Sequence, residues 1–358
     1  MSDRALIATR KGLFIAERGK AGWRISLNAF AGIPVSQTLH DTRDNTLYAA
    51  LNHGHFGAKL HRSDDGGKSW TEIAVPAFPK EEDNKDAPAL IQIWSLEKAP
   101  GNGALWAGCM PGGLFRSNDR GENWQLVESL WNEPSRAKWF GGGNDAPGMH
   151  SVLPGTKDNG RVAIAVSCGG VWMSDDQGKS WQVGGKGLIN NYMPPDQQED
   201  PVSQDPHRVQ QCLAAPDVMW MQHHCGAFRS TDGGAQWSKL APPVSDFGFT
   251  VAAHPKDPQT AWLAPAISGR ERMAVGGRLR VTRTRDGGKS WDVLDRGLPQ
   301  ENVYDLIYRH GLDVDDSGET LIMGSTTGGL WTSDNGGEDW ASLGVHLPPI
   351  YGVRFFGH

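Results

Sequence analysis

The sequence predicts an all-β fold: a seven-bladed β-propeller with four antiparallel strands per blade. Three observations carry this. One turn motif recurs six times. Its copies are spaced by about the length of one four-stranded sheet. The two chain ends each supply part of a further sheet, so the ring closes on itself.

The motif is Ser-x-Asp-x-Gly-x-x-Trp. Its copies are Ser63, Asp65, Gly67, Trp70; Ser117, Asp119, Gly121, Trp124; Ser174, Asp176, Gly178, Trp181; Ser230, Asp232, Gly234, Trp237; Thr284, Asp286, Gly288, Trp291; and Ser333, Asn335, Gly337, Trp340. The tryptophans are 54, 57, 56, 54 and 49 residues apart. A short Ser or Asp side chain accepts bonds from backbone N–H groups just downstream and closes a tight turn. Glycine provides the positive φ. A strand-like triplet precedes each copy, as in Leu60-His61-Arg62, so the motif joins two antiparallel strands. The tryptophan opens the outer strand and fills the gap between sheets. These aspartates are therefore structural.

In chain order, residues 5–9, 12–16 and 23–26 read as three strands whose turn signature is lost. Trp23 lies 47 residues before Trp70, in phase with the repeat. The missing inner strand is 350–356, which makes residues 1–358 one closed domain and leaves no bare edge. Six full blades follow, with inner strands predicted at 35–40, 91–96, 149–153, 209–214, 247–253 and 303–308. Second strands such as Ala104-Leu105-Trp106-Ala107 are nearly continuous apolar runs, as sheets packed on both faces require. Strand alternation puts the aspartate turns and the inner-to-second connections on one face. The opposite, top face collects the long excursions: 76–90, 129–148 with its Gly141-Gly142-Gly143 run, 188–208 and 265–277. Loops of that length in a compact repeat are more often functional than idle.

Composition narrows the function. A net charge of −6 gives no support for nucleic-acid or acidic-membrane binding. Four cysteines make no disulfide framework. Met-Ser-Asp-Arg leads straight into a strand, with no signal peptide or spanning stretch, so the cytoplasm is the expected compartment.

The six turns resemble the Asp-box, or BNR, repeats of sialidases, sortilin-type receptors, photosystem II stability factors and certain xyloglucan hydrolases. The chain looks most like bacterial one-domain BNR-repeat proteins described as sialidase-like or glycosyl hydrolase-like. That resemblance implies a propeller over essentially the whole chain. It does not carry a sialidase mechanism. The sialidase arginine-triad motif is not found, and Trp23-Arg24-Ile25-Ser26, the segment nearest to the early Arg-Ile-Pro signature, sits on a predicted outer strand.

The top-face funnel is the expected binding surface. Its second-to-third strand turns carry His53 and His55, Cys109, Cys168, and His223-His224-Cys225. Cys168 and His224 share one blade position, and His55 and Cys109 share another. No standard metal spacing is present and no cofactor is predicted, although these groups leave room for a bound transition metal. His150, Gln210, Tyr304 and Tyr351 stand near the top of predicted inner strands, with His150 at the mouth below Trp139. The acidic loop contributes Tyr192, Asp196, Glu199, Asp200 and Asp205. Asp196, Glu199 and Asp200, with His150 and His224, are the candidate catalytic groups, because glycoside hydrolysis needs a carboxylate pair. Arg270 and Arg272 suit an acidic ligand. The expected function is binding of a polar or anionic small molecule, a glycan or a protein partner in the funnel. The alternative is a glycoside hydrolase or other hydrolase using top-face carboxylates and histidines, with or without a metal.

Overall fold

The computed structural model describes residues 2–79, 88–101, 103–142, 144–157 and 159–357. Residues 80–87 of the predicted 76–90 excursion and Gly143 of the glycine run lie outside the described residues. Within them the chain forms seven four-stranded antiparallel sheets. The closing blade runs Ile350–Phe355, Arg4–Thr9, Gly12–Gly19, Gly22–Ala29 from the inside outward. Its register pairs Ala5 with Phe355, Leu6 with Arg354 and Ile7 with Val353, so the two ends of the chain share one sheet, as predicted. Leu6 and Ile7 are fully buried on opposite faces of this strand. They enter two different interblade clusters, one with Val35 and Leu47, the other with Ile322 and Ile350. Apolar burial is the largest favourable contribution to folding, so the seam is held by side chains as well as by the ladder.

The six aspartate turns share one bonding scheme. In the first, the Ser63 hydroxyl accepts from the Gly67 N–H at 2.8 Å and donates to Asp65 Oδ1 at 2.8 Å. Asp65 in turn accepts from the Ser69 backbone and hydroxyl. Gly67 has φ +91°, which a side chain would strain. The glycine N–H reaches the same hydroxyl in the other five copies, at 2.8 to 3.0 Å. Thr284 serves because it keeps the hydroxyl. Asn335 serves because its amide oxygen still accepts from the Asp339 N–H. Three of the tryptophan indoles reach the preceding blade, Trp70 donating to Asn28, Trp124 to the Ala74 carbonyl and Trp181 to the Ser129 hydroxyl, while that of Trp237 donates to Gly234 of its own turn.

The inner strands are stitched by hydroxyls. Ser36 donates to the Ile93 carbonyl, and Ser95 and Ser151 accept from the Val152 and Val209 N–H groups. Thr250 donates to the Arg309 carbonyl. Four inner strands also carry a bulge at one shared position, where Ser36, Trp94, His150 and His207 fall between paired neighbours. A bulge re-aims the extra side chain, and here it creates a ring of residues near the top of the channel. Below that ring the channel is filled. His310 of the sixth blade donates to the His150 carbonyl of the third at 3.0 Å, a bond that must cross the axis. Arg208 donates to the same carbonyl, and Arg354 pairs with Glu97.

The structure corrects several boundaries. The inner strand of the sixth blade is Leu312–Val314, not 303–308. Val303, Leu306 and Ile307 bury their side chains without joining a ladder, so their apolar pattern imitated a strand. The fourth inner strand begins at Pro206, three residues earlier than predicted. Residues predicted to end the second blade and open a loop instead form short helical turns at Glu128–Trp131 and Pro134–Lys138. Among the described residues no helix is long and apolar enough to cross a membrane.

Candidate metal centre

A cavity of about 1200 Å³ opens at the top face. Its walls come from second-to-third strand connections (His53, Cys168, His224, and Gly269, Arg270 and Arg272 of the long 265–277 excursion), from the tops of inner strands (Trp94, His207, Phe249, Tyr351) and from the crossover at Phe140 to Gly142. The sequence-predicted funnel is therefore present, and its apolar and aromatic lining with a few convergent polar groups is typical of ligand sites.

Asp205, His207 and His224 meet on its wall, with their ligand atoms all within 4.8 Å of one another. All three belong to the fourth blade. The pairing of Pro206 with His223 sets Asp205 and His207 beside the turn that carries His224. The bulge at His207 turns its ring out of the channel and into the funnel, where it stacks on Phe249 at 4.5 Å and 8°. Oδ2 of Asp205 lies 3.4 Å from His224 Nδ1 and 3.8 Å from His207 Nε2. The other oxygen, Oδ1, accepts from the Ser167 hydroxyl and the Cys168 N–H. His207 Nδ1 donates to the Gly248 carbonyl at 2.7 Å, which fixes the tautomer and leaves the Nε2 lone pair facing the cluster.

Ionisation follows from these contacts. Burial opposes charge on Asp205, but the contact with His224 and the nearness of His207, His223 and Arg309 outweigh it and hold the carboxyl well below its usual range. Burial drives His207 down to about 3, against the pull of Asp205. The carboxylate is thus anionic and His207 neutral, the forms a metal ion requires. Tetrahedral zinc, with bonds of about 2.0–2.2 Å, needs ligand atoms roughly 3.3–3.5 Å apart. Asp205 Oδ2 and His224 Nδ1 already stand at that spacing, and Asp205 Oδ2 and His207 Nε2 are a few tenths of an ångström wider. Two histidines and one carboxylate form a three-ligand set that leaves a position open for water. A carbonyl behind His207 and a hydroxyl behind Asp205 supply the outer support such ligands need.

Glycine allows the close approach of one crossover and of the 265–277 excursion. A Cβ on Gly142 would stand 2.7 Å from the Cys168 sulfur and 2.8 Å from the Ser167 hydroxyl, the group that anchors Asp205. A Cβ on Gly269 would stand 3.1 Å from the His224 ring.

Of the residues singled out from sequence, His53, Cys168, Tyr192, His224, Arg270, Arg272 and Tyr351 line the cavity. Tyr192 packs edge-on to His224, and its hydroxyl meets the Cys168 sulfur. The others lie elsewhere. His150 is fully buried rather than at the mouth. Its Nε2 bonds the Pro206 carbonyl and its ring sits under Trp94. His223 is also fully buried and accepts from the Asp205 N–H. Trp139 is buried against Trp172, outside the lining. His55 is exposed beside Phe56 while Cys109 is buried, so that pair forms no common site. Gln210 is not in the lining, and Tyr304, 64 % exposed, is off the inner strand altogether. Asp196 and Glu199 are exposed and outside the lining. Asp200 caps Pro201–Ser203 and pairs with Lys138. The acidic loop therefore delivers one carboxylate to the cavity, Asp205. Sequence reasoning missed His207, Trp94 and Arg309. A histidine two residues after an aspartate, opening an inner strand, was the one local signal for His207.

No protein-family model matches the chain, and no curated protein matches it. Solved structures do. An ancestral GH74 enzyme superposes with TM-score 0.61 at 17 % identity over 86 % of this chain, which spans 38 % of that enzyme's length. YCF48 from Cyanidioschyzon merolae gives 0.58 at 15 % identity, covering 90 % of this chain and 91 % of that one. A putative 6-phosphogluconolactonase from Bacteroides fragilis gives 0.59 at 10 % identity, covering 99 % and 98 %. At these identities the likeness shows the propeller fold and nothing about activity.

Proposed function

We propose that the funnel is a hydrolytic site in which Asp205, His207 and His224 hold one transition-metal ion, Zn²⁺ by donor set. The observation that carries this is the convergence of three ligand atoms within 4.8 Å, among them an ionised Asp205 and a His207 whose Nε2 lone pair is free. A bound zinc supplies a water that ionises near neutral pH. The chain's own residues do the rest. Ser167 and the Cys168 N–H hold Asp205 in place. Tyr192 and Phe247 pack edge-on against His224 and fix its plane. Arg270 and Arg272 border the cavity and attract a polar or anionic substrate. The GH74 likeness is compatible with a carbohydrate substrate without identifying one. The cytoplasm remains the proposed compartment, where the four unpaired cysteines stay reduced.

A second reading, capture of a glycan or protein segment without chemistry, is favoured by the size of the cavity, which exceeds the common small-molecule range of about 300–1,000 Å³. YCF48, seen bound to D1 peptide, has the same fold. The two readings separate in one assay. The chelated full chain is given one equivalent of Zn²⁺ at about pH 7, and hydrolysis of p-nitrophenyl acetate is followed. Zinc-dependent turnover that His224→Ala removes is expected. Turnover equal with and without zinc would leave the binding reading.

A further inference from the structure

Among the described residues, one cation of the funnel has no anionic partner within bonding distance. Arg309 lines the cavity, yet its guanidinium makes no hydrogen bond and no salt bridge among the described residues, and its Nε is sealed from solvent. Among the described residues several arginines near the axis or between blades are answered, whereas Arg116, outside the cavity, also stands over a ring, that of Trp106, with its Nε unbonded. Arg208 bonds the His150 carbonyl, Arg354 pairs with Glu97, and Arg283 pairs with Asp292 and Glu338. Arg309 is held instead by aromatic rings, with its guanidinium carbon 4.8 Å from the Trp94 centroid and 5.5 Å from that of Phe249. Arg272 approaches the same Phe249 ring at 5.4 Å and, among the described residues, has no carboxylate partner either. Phe249 is also the ring on which His207 stacks, so it stands between the metal cluster and the arginines.

A guanidinium partly withdrawn from water without an anion is costly. Burial pulls Arg309 down to about 10, with Asp205 only partly offsetting it. Asp205 cannot serve as the missing anion, because its oxygens are committed to Ser167, Cys168, His207 and His224. Ring contacts fix the guanidinium, so its donors are offered from a single plane. A carboxylate, planar and singly charged, matches such a fork with two parallel bonds; a phosphoryl group can do the same but brings a second negative charge. The walls beside it, Trp94, Phe249, Tyr308 and Tyr351, suit an apolar or aromatic body.

We infer that Arg309 is the seat of a substrate carboxylate, so that the funnel takes carboxylic acids carried on an apolar or aromatic body. The claim that such an acid is also turned over rests on the hydrolase reading; the claim that it binds does not.

Three probes that share one ring and differ in head group test this: benzoate, neutral benzamide and phenyl phosphate. Each is titrated into the full chain by ligand-observed NMR, once after chelation and once with one equivalent of Zn²⁺. Benzoate is expected to bind at least about ten-fold more tightly than benzamide in both states, the scale of one charge-assisted bond. Arg309→Met is expected to abolish that preference and Arg309→Lys to keep part of it. The wild-type comparison decides even if Arg309→Met fails to fold, and Arg272→Ala, at an exposed position, is expected to weaken benzoate by a smaller factor. Equal binding of benzoate and benzamide overturns the inference, as does a preference unaltered in Arg309→Met or the binding of none of the probes. A preference that appears only with zinc overturns it too, since the ion would then be the seat. Tighter binding of phenyl phosphate than benzoate replaces carboxylate by phosphoryl. A benzoate preference in a chain that takes up no zinc supports Arg309 and removes the hydrolase reading instead.

Discussion

The two faces of the wheel are built on opposite plans. On the bottom, six turns repeat one bonding scheme, and substitutions such as Thr284 and Asn335 keep the atom that matters. On the top, corresponding turns differ in every blade: His53-Gly54, Cys109-Met110, Cys168-Gly169, His224-Cys225, Thr326-Thr327. Only the fourth blade brings three metal-ligating groups together among the described residues. The bottom closes the ring, and the top is where one blade can depart from the rest at little cost to it. If so, damage to one face should leave the other's property intact.

The largest effect is expected from the interblade packing behind a turn. Trp262 is 1 % exposed and donates to the Gly336 carbonyl of the next turn. Trp262→Ala should cost about 3–5 kcal/mol in denaturant unfolding, while folded protein keeps its zinc affinity. Loss of both would show that the faces are coupled. Next comes His224→Ala, which removes a ligand from a partly exposed position. Zinc affinity should fall by more than about 100-fold, beyond the range seen for outer-shell changes, with the melting temperature nearly unchanged. Ser174→Ala returns to the bottom face. It strands the Gly178 N–H and removes one of the bonds to Asp176, so it should cost about 1–3 kcal/mol and leave zinc binding alone. Ser167→Ala removes the hydroxyl that holds Asp205, and zinc affinity should drop by about ten-fold.

The smallest expected effect is a pH slope. Hydrogen bonds from Ser180 and Ser174 hold the Asp176 carboxyl well below the usual range. A folded value below the unfolded one, near about 3.9, means that the contribution is complete above that pH and is withdrawn as pH falls through the folded value. Asp176→Asn should therefore flatten the acid side of the melting-temperature profile, and Asn335 shows that an amide fits this turn. An unaltered acid slope would remove Asp176 from the account of acid stability.

The contrast also explains what could be read from the sequence. The bottom face was legible because each turn is solved locally: Ser63, Asp65 and Gly67 make their bonds within seven residues. Ring closure was legible for a related reason, since one strand was missing at one end and spare at the other. The funnel was less so. His207 reaches it through a bulge, which breaks the alternation from which facing is read. His150 occupies the same bulge position one blade earlier, yet is buried under Trp94 and bonded to the Pro206 carbonyl. Nothing in either local sequence separates the two. Arg309 follows an apolar stretch that looked like an inner strand and is not one, so its place near the axis was hidden. Asp205 was visible as one acid among several; what selects it is the pairing of Pro206 with His223, a long-range fact.

The central claim is that Asp205, His207 and His224 form a site ready for a metal ion. It is tested most directly by calorimetric titration of Zn²⁺ into the chelated full chain, beside His224→Ala. The account predicts one tightly held ion per wild-type chain and its loss in the variant. No stoichiometric uptake, or uptake that His224→Ala leaves unchanged, would contradict it.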